Sequence, residues 1–257
     1  MLGAIAGDII GSVFEHRPVK TTAFELFSRR STFTDDTVLT VAVAHAILEN
    51  AEYGLALKSF ARRFPDAGYG MSFFRWMMSE ENRPYNSWGN GSAMRVSPVG
   101  FAFDSADAVL REAGKTAAVT HNHPDGIAGA QATALAVYLA RTGAGKEQIR
   151  REIERRFGYD LHRRIDDIRP AYRFDISCRG TVPEAIIAFL ESENYENAVR
   201  IGISLGGDSD TIGCITGAVA QAHYGKLPEE IQLEARRRLP AEFLEVIDRF
   251  NRRCGID

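Results

Sequence analysis

Apolar positions recur along this chain at helical spacing. Residues 2–14 (LGAIAGDIIGSVF) and 37–49 (TVLTVAVAHAILE) carry the densest runs. The second is apolar on nearly every side, the pattern of a helix at the centre of a core. The same periodicity predicts helices over 54–64, 67–79, 105–119, 124–141, 146–157, 181–191, 194–204, 209–224 and 240–253. Strict two-residue alternation never persists for five residues outside short ambiguous runs, so strands are not expected. Residues 80–92 and 158–180, the latter broken by Pro170, are expected to be irregular. No repeat, low-complexity tract or linker divides the chain, which is therefore read as one all-α domain over residues 1–257.

Three glycines punctuate the first helix. Gly3, Gly7 and Gly11 lie four residues apart and so share one face. Each costs about 1 kcal/mol relative to alanine in a helix interior. Close approach of a second helix is the expected compensation. Gly213 and Gly217 repeat the spacing late in the chain.

Composition narrows the function classes. The 257 residues are 45% hydrophobic and 25% charged, with a formal net charge of -3. That balance points away from nucleic acid and membrane surfaces as partners. The Arg-rich stretch 150–173 is interleaved with acids and reads as a solvated face, as does Arg236-Arg237-Arg238. The three cysteines, Cys178, Cys214 and Cys254, are widely spaced. They form neither a disulfide framework nor a thiolate zinc motif. With no apolar run long enough to span a membrane, a cytoplasmic setting is expected.

Two acidic clusters carry the candidate chemistry. Thr34-Asp35-Asp36 precedes the apolar helix at 37–49, and Asp208-Ser209-Asp210-Thr211 opens the helix at 209–224 after Gly206-Gly207. Thr, Ser and Asp are favoured helix N-caps, and acids suit the positive end of the helix dipole. A cap needs only one such side chain, however, and two clusters of three or four oxygen-bearing residues exceed that need. Burying paired carboxylates without cations is costly. Neither cluster holds Cys or His, which favours Mg²⁺, Mn²⁺ or Ca²⁺ over zinc. Asp35, Asp36, Asp208 and Asp210 carry four formal charges, which two divalent cations would balance. Glu15, four residues beyond Gly11, would add a fifth or stand as a solvated acid at the helix end.

Taken in order, Gly3-x-x-x-Gly7-Asp8-x-x-Gly11-x-x-x-Glu15, Phe33-Thr34-Asp35-Asp36-Thr37, Gly89-Asn90-Gly91-Ser92-x-Met94-Arg95, Thr120-His121-x-x-Pro124 and Gly206-Gly207-Asp208-Ser209-Asp210-Thr211-Ile212-Gly213 resemble the ADP-ribosylglycohydrolase family from Gly3 to about Tyr224. The resemblance implies a single-domain orthogonal helical bundle with a two-metal centre, Mg²⁺ or Mn²⁺. It implies metal ligands at Thr34, Asp35, Asp36, Asp208, Asp210 and Thr211. It matches Glu15 to a glutamate on a mobile loop near the metals and the ribose. Gly89, Asn90, Gly91 and Ser92 match a loop lining the diphosphate and distal ribose, and His121 a histidine on the substrate side.

The residues themselves leave some roles open. Gly89-Asn90-Gly91-Ser92 suits an anion cradle or a plain turn. His121-Asn122-His123-Pro124 suits metal binding, helix capping or a substrate contact. Tyr85 and Trp88 suit stacking on adenine or packing. Asp8, inside an apolar helix, is expected to hold a partner of the site rather than a metal. The implied function is hydrolysis of the bond between ADP-ribose and an acceptor, a modified protein or a small molecule, releasing ADP-ribose. Glu15 and Asp36 are the candidates for direct involvement. The alternatives are an ADP-ribose-binding or immunity-type module with little catalysis, and a two-metal phosphoesterase. A monomer is expected.

Overall fold

The computed structural model describes residues 1–256. Among these residues every regular element is a helix, and extended pairing is confined to one antiparallel bridge between Gly89 and Ser177. In chain order the helices are α1 (Leu2–Gly11), α2 (Asp35–Glu49), α3 (Tyr53–Arg63), α4 (Met71–Met78), α5 (Gly91–Met94), α6 (Ser97–Ala102), α7 (Ala106–Ala118) and α8 (Pro124–Arg141). The remainder are α9 (Lys146–Phe157), α10 (Ile165–Ile168), α11 (Cys178–Glu191), α12 (Tyr195–Ile203), α13 (Ser209–Tyr224), α14 (Glu229–Arg237) and α15 (Ala241–Cys254). None of them is long and apolar enough to cross a membrane.

The centre is made by α1, α2 and α13. Every residue of α1 is buried, as is α13 from Ser209 to Gln221. These two helices form the most extensive helix–helix contact, and the glycine stripe explains it. A Cβ on Gly7 would lie 2.0 Å from the Gly213 carbonyl oxygen, one on Gly217 2.3 Å from that of Gly3, and one on Gly11 2.3 Å from that of Ser209. The helices thus touch backbone to backbone and run antiparallel, with the end of α1 against the start of α13. Gln221 completes the seam by accepting the Gly3 N–H at 2.7 Å, which the uncapped start of α1 leaves free.

Outer helices show one apolar face each. In α15, Phe243, Val246, Ile247 and Phe250 are buried at helical spacing, and α15 packs on α2. On α9, Arg150 pairs with Glu147, and Arg155 and Arg156 with Glu152, as befits a solvated face.

The largest differences from the sequence pattern have local causes. α1 stops at Gly11 rather than residue 14, because the Ser12 hydroxyl donates back to the Ile9 carbonyl and the chain turns there. α4 starts at Met71 rather than 67, since Gly68 adopts φ +101, outside the helical region. α11 starts three residues early because Ser177 caps it through the Gly180 N–H. The short α5, α6 and α10 carry too few turns to show a period. α14 buries only Ile231 and Ala235, too little for a recognisable stripe.

Candidate active site

The start of α2 is held from inside the molecule. Thr34 is the N-cap, and its hydroxyl accepts the Asp36 N–H at 3.3 Å. Asp8, reaching across from α1, accepts from the Thr34 N–H (3.0 Å), the Thr34 hydroxyl (2.8 Å), the Thr37 N–H (3.1 Å) and the Thr37 hydroxyl (2.5 Å). Burial pushes the Asp8 carboxyl up to about 6 against the opposing pull of these hydrogen bonds. Capping is therefore accomplished by Thr34 and Asp8, which leaves Asp35 and Asp36 free for something else. Both lie within the first helical turn, not before it.

The start of α13 is built differently. Gly206 takes φ +65, and the Asp208 side chain does not cap the helix. Asp208 Oδ2 instead accepts from Asn90 Nδ2 at 2.7 Å, and Asp210 Oδ1 accepts the Thr211 N–H at 3.0 Å.

These two starts meet. The Thr211 hydroxyl donates to Asp36 Oδ2 at 3.4 Å, and Glu15, Asp208 and Asp210 each offer an oxygen within 4.8 Å of the others. Glu15 reaches this cluster because the backbone seam sets Gly11 against Ser209 and Asp210. Glu15, Thr34, Asp35, Asp36, Asp208, Asp210 and Thr211 all line one cleft of about 360 Å³.

Among the described residues, none of the five carboxylates pairs with Lys or Arg; only His16 approaches, 3.7 Å from Glu15. Burial, reinforced by neighbouring carboxylates, drives Asp35, Asp36 and Asp210 well above the ordinary aspartate range. Burial also raises Glu15, with His16 opposing it. Asp36 Oδ1 is buried with no hydrogen-bond partner among the described residues. A buried carboxylate oxygen left unpaired costs about 1–3 kcal/mol or more. Cations would relieve both the repulsion and the orphaned oxygen, and the all-oxygen donor set suits a hard divalent ion.

Gly89, Asn90, Gly91 and His121 line the same cleft, whereas Ser92 does not: its hydroxyl is buried and donates to the Gly126 carbonyl at 2.7 Å. The Asn90 amide is occupied by Asp208 and by the Thr181 hydroxyl at 3.1 Å, so it steers a carboxylate. The two histidines divide their work. His123 caps α8, its Nδ1 accepting the Asp125 N–H at 3.1 Å, while His121 turns into the cleft with Nδ1 against the Thr120 hydroxyl at 2.7 Å. Tyr85 lines the cleft, and Trp88, half exposed, lies outside it.

Several lining residues carried no functional signal in the sequence. Met71 and Phe73 come from α4, and Phe174 and Ile176 from the irregular stretch before α11. Isolated apolar side chains look alike in a core and in a cleft wall. Arg95, too, is buried in the cleft wall, without an acidic partner among the described residues.

A family model described as ADP-ribosylglycohydrolase matches residues 1–255. ADP-ribosylhydrolase ARH3 of Xenopus tropicalis is 27% identical over 313 residues, covering 91% of this chain and 87% of that protein. The Homo sapiens ARH3 is 26% identical, with 90% and 86% covered. ADP-ribosylarginine hydrolase Tri1 of Pseudomonas putida (strain GB-1) is 25% identical, with 88% and 69% covered. A solved structure described as an ADP-ribosylglycohydrolase-related protein complex superposes with a TM-score of 0.71 at 23% identity, covering 98% of this chain and 97% of that one, a likeness of fold.

Proposed function

Since the chain belongs to the ADP-ribosylglycohydrolase family, we propose that it hydrolyses the glycosidic bond between ADP-ribose and an acceptor, a modified protein side chain or a small ADP-ribosylated molecule. The observation that carries this reading is the convergence of Glu15, Asp35, Asp36, Asp208 and Asp210 on one cleft with no ion pair to Lys or Arg among the described residues. Thr34, Asp35, Asp36, Asp208, Asp210 and Thr211 would hold two divalent cations, Mg²⁺ or Mn²⁺. When bound, these supply Lewis acidity and activation of the attacking water.

The chain's own residues do the rest. The four aspartates match the charge of two such ions and leave Glu15 over. Its side chain is 28% exposed and lines the cleft, so it reaches both the cleft and solvent, and burial raises its pKa, the direction that suits a proton carrier. Glu15 is therefore our choice for the proton carrier. Asp36, nearly fully buried and hydrogen-bonded by Thr211, serves as a ligand. Asn90 orients Asp208, and Asp8 orients the start of α2. The bare backbone at Gly89 and Gly91 lets a ligand approach closely beside His121.

The test is release of free ADP-ribose from defined arginine- and serine-linked substrates, after chelation and again with Mg²⁺ or Mn²⁺ restored. Cation-dependent release of ADP-ribose is expected. AMP or phosphate as product would replace this reading with a phosphoesterase. Tight ADP-ribose binding without any release would replace it with a binding module.

A further inference from the structure

Arg95 follows α5 as its C-cap and is completely buried, a rare place for a guanidinium. Its Nη2 donates to the Thr116 carbonyl at 2.9 Å and to the Thr120 hydroxyl oxygen at 2.8 Å, while Nε and Nη1 are buried without partners among the described residues. The same Thr120 oxygen lies 2.7 Å from His121 Nδ1.

The direction of the Arg95 bond follows from chemistry. A guanidinium has donors and no acceptor, so the Thr120 oxygen receives the Arg95 bond. The Thr120 oxygen keeps one lone pair and its single proton for two further neighbours, His121 Nδ1 and the Tyr85 hydroxyl, and with the phenol donating into that lone pair the proton is directed at His121 Nδ1. A ring nitrogen that accepts is unprotonated, so the proton of the neutral imidazole sits on Nε2. Nε2 faces the other way. A Cβ on Gly91 would lie 3.2 Å from it and one on Gly89 3.7 Å, and His121 lines the cleft at this point. Burial, and then the Arg95 charge, hold the imidazole well below its usual pKa, so the ring stays neutral.

We propose that Arg95 and Thr120 are positioning residues that lock His121 in its Nε2–H tautomer, making it an obligate hydrogen-bond donor to an oxygen of the ligand. The only unprotonated ring nitrogen faces Thr120 and not the cleft, so His121 does not act as the general base. Proton transfer is thereby left to the carboxylates. The relay depends on nothing but local geometry; that the oxygen belongs to ADP-ribose rests on the function proposed above. Tyr85 bears on the relay as well, since its hydroxyl also approaches Thr120 and its ring centroid lies 5.8 Å from that of His121. A phenol donating into the second Thr120 lone pair leaves the assignment intact, whereas one accepting the Thr120 proton reverses it.

Long-range proton–nitrogen correlation spectra of the 15N-labelled full chain at pH 7 decide between these, with His121→Gln used only for assignment. Nδ1 is expected at the position of an unprotonated ring nitrogen and Nε2 at that of a protonated one. Thr120→Val should give a mixture of tautomers and weaken ADP-ribose binding about tenfold, while Thr120→Ser retains both properties. An Nδ1–H tautomer or an imidazolium in the wild-type protein overturns the proposal, as does a tautomer unchanged by Thr120→Val. The wild-type spectrum decides alone should Thr120→Val not fold. An Nε2–H tautomer in a protein that fails to bind ADP-ribose upholds the relay and sinks the assigned ligand instead.

Discussion

The two halves of the acidic centre sit at the starts of two buried helices, α2 and α13, but they are held in different ways. At α2 the aspartates are relieved of capping: Thr34 caps locally, and Asp8 gathers four donors from Thr34 and Thr37. At α13 the N-cap side chain, Asp208, makes no capping bond and is oriented from the loop before α5 by Asn90. One half is thus braced by the core and the other by the cleft wall. The contrast separates what the site needs for chemistry from what the fold needs for stability.

Four experiments probe that contrast. The largest effect is expected from Asp210→Ala, which removes a carboxylate from the point where both halves meet. ADP-ribose release should fall to background and calorimetric binding of Mg²⁺ or Mn²⁺ should be lost. Full turnover in chelator-treated variant protein would sink the metal assignment.

Gly7→Ala follows, because its Cβ would meet the Gly213 backbone at 2.0 Å. Overpacking of a backbone contact should lower stability by about 3 kcal/mol or more in urea denaturation. Gly114→Ala in α7, where the Cβ would meet the side chains of Gln131 at 3.4 Å and Ile127 at 3.9 Å, should instead stabilise by about 0.5–1 kcal/mol. Equal behaviour of the two glycines would refute the seam as the cause of the close crossing.

Next come the braces themselves. Asp8→Asn should lower both the urea midpoint and cation affinity, since it removes acceptors from the start of α2. Asn90→Ala should weaken cation affinity about tenfold with a smaller change in stability. The reverse ranking in stability would show that the cleft wall, and not the core, braces the site.

Glu15→Gln gives the narrowest readout. It keeps the shape of the side chain, so kcat should drop far more than ADP-ribose affinity. Equal losses in both would reduce Glu15 to a binding residue.

Much of the fold was legible in the sequence, because helical periodicity is local. The helix at 209–224 has the predicted bounds, and those of α2, α3, α12 and α15 lie within two residues of expectation. The resemblance to a known family was equally visible, since it rests on dense motifs of fixed spacing. The less legible parts were short, or ended where a single side-chain bond or backbone angle stopped the helix. The end of α1 depended on a Ser12 bond, and the start of α4 on the backbone angle of Gly68.

For the site the division is sharper. The glycine stripe and the two acidic clusters could be read one residue after another, because each is a local spacing with a physical cost that demands a compensation. Which partner supplies that compensation could not, since it depends on contacts between residues far apart in the chain. Only the tertiary structure set the stripe of α1 on Gly213 and Gly217, and so brought Glu15 to Asp208 and Asp210. It turned Asn90 toward Asp208 and separated His121 from His123. Side-chain direction is the deciding quantity in each case, and packing across the whole chain determines it.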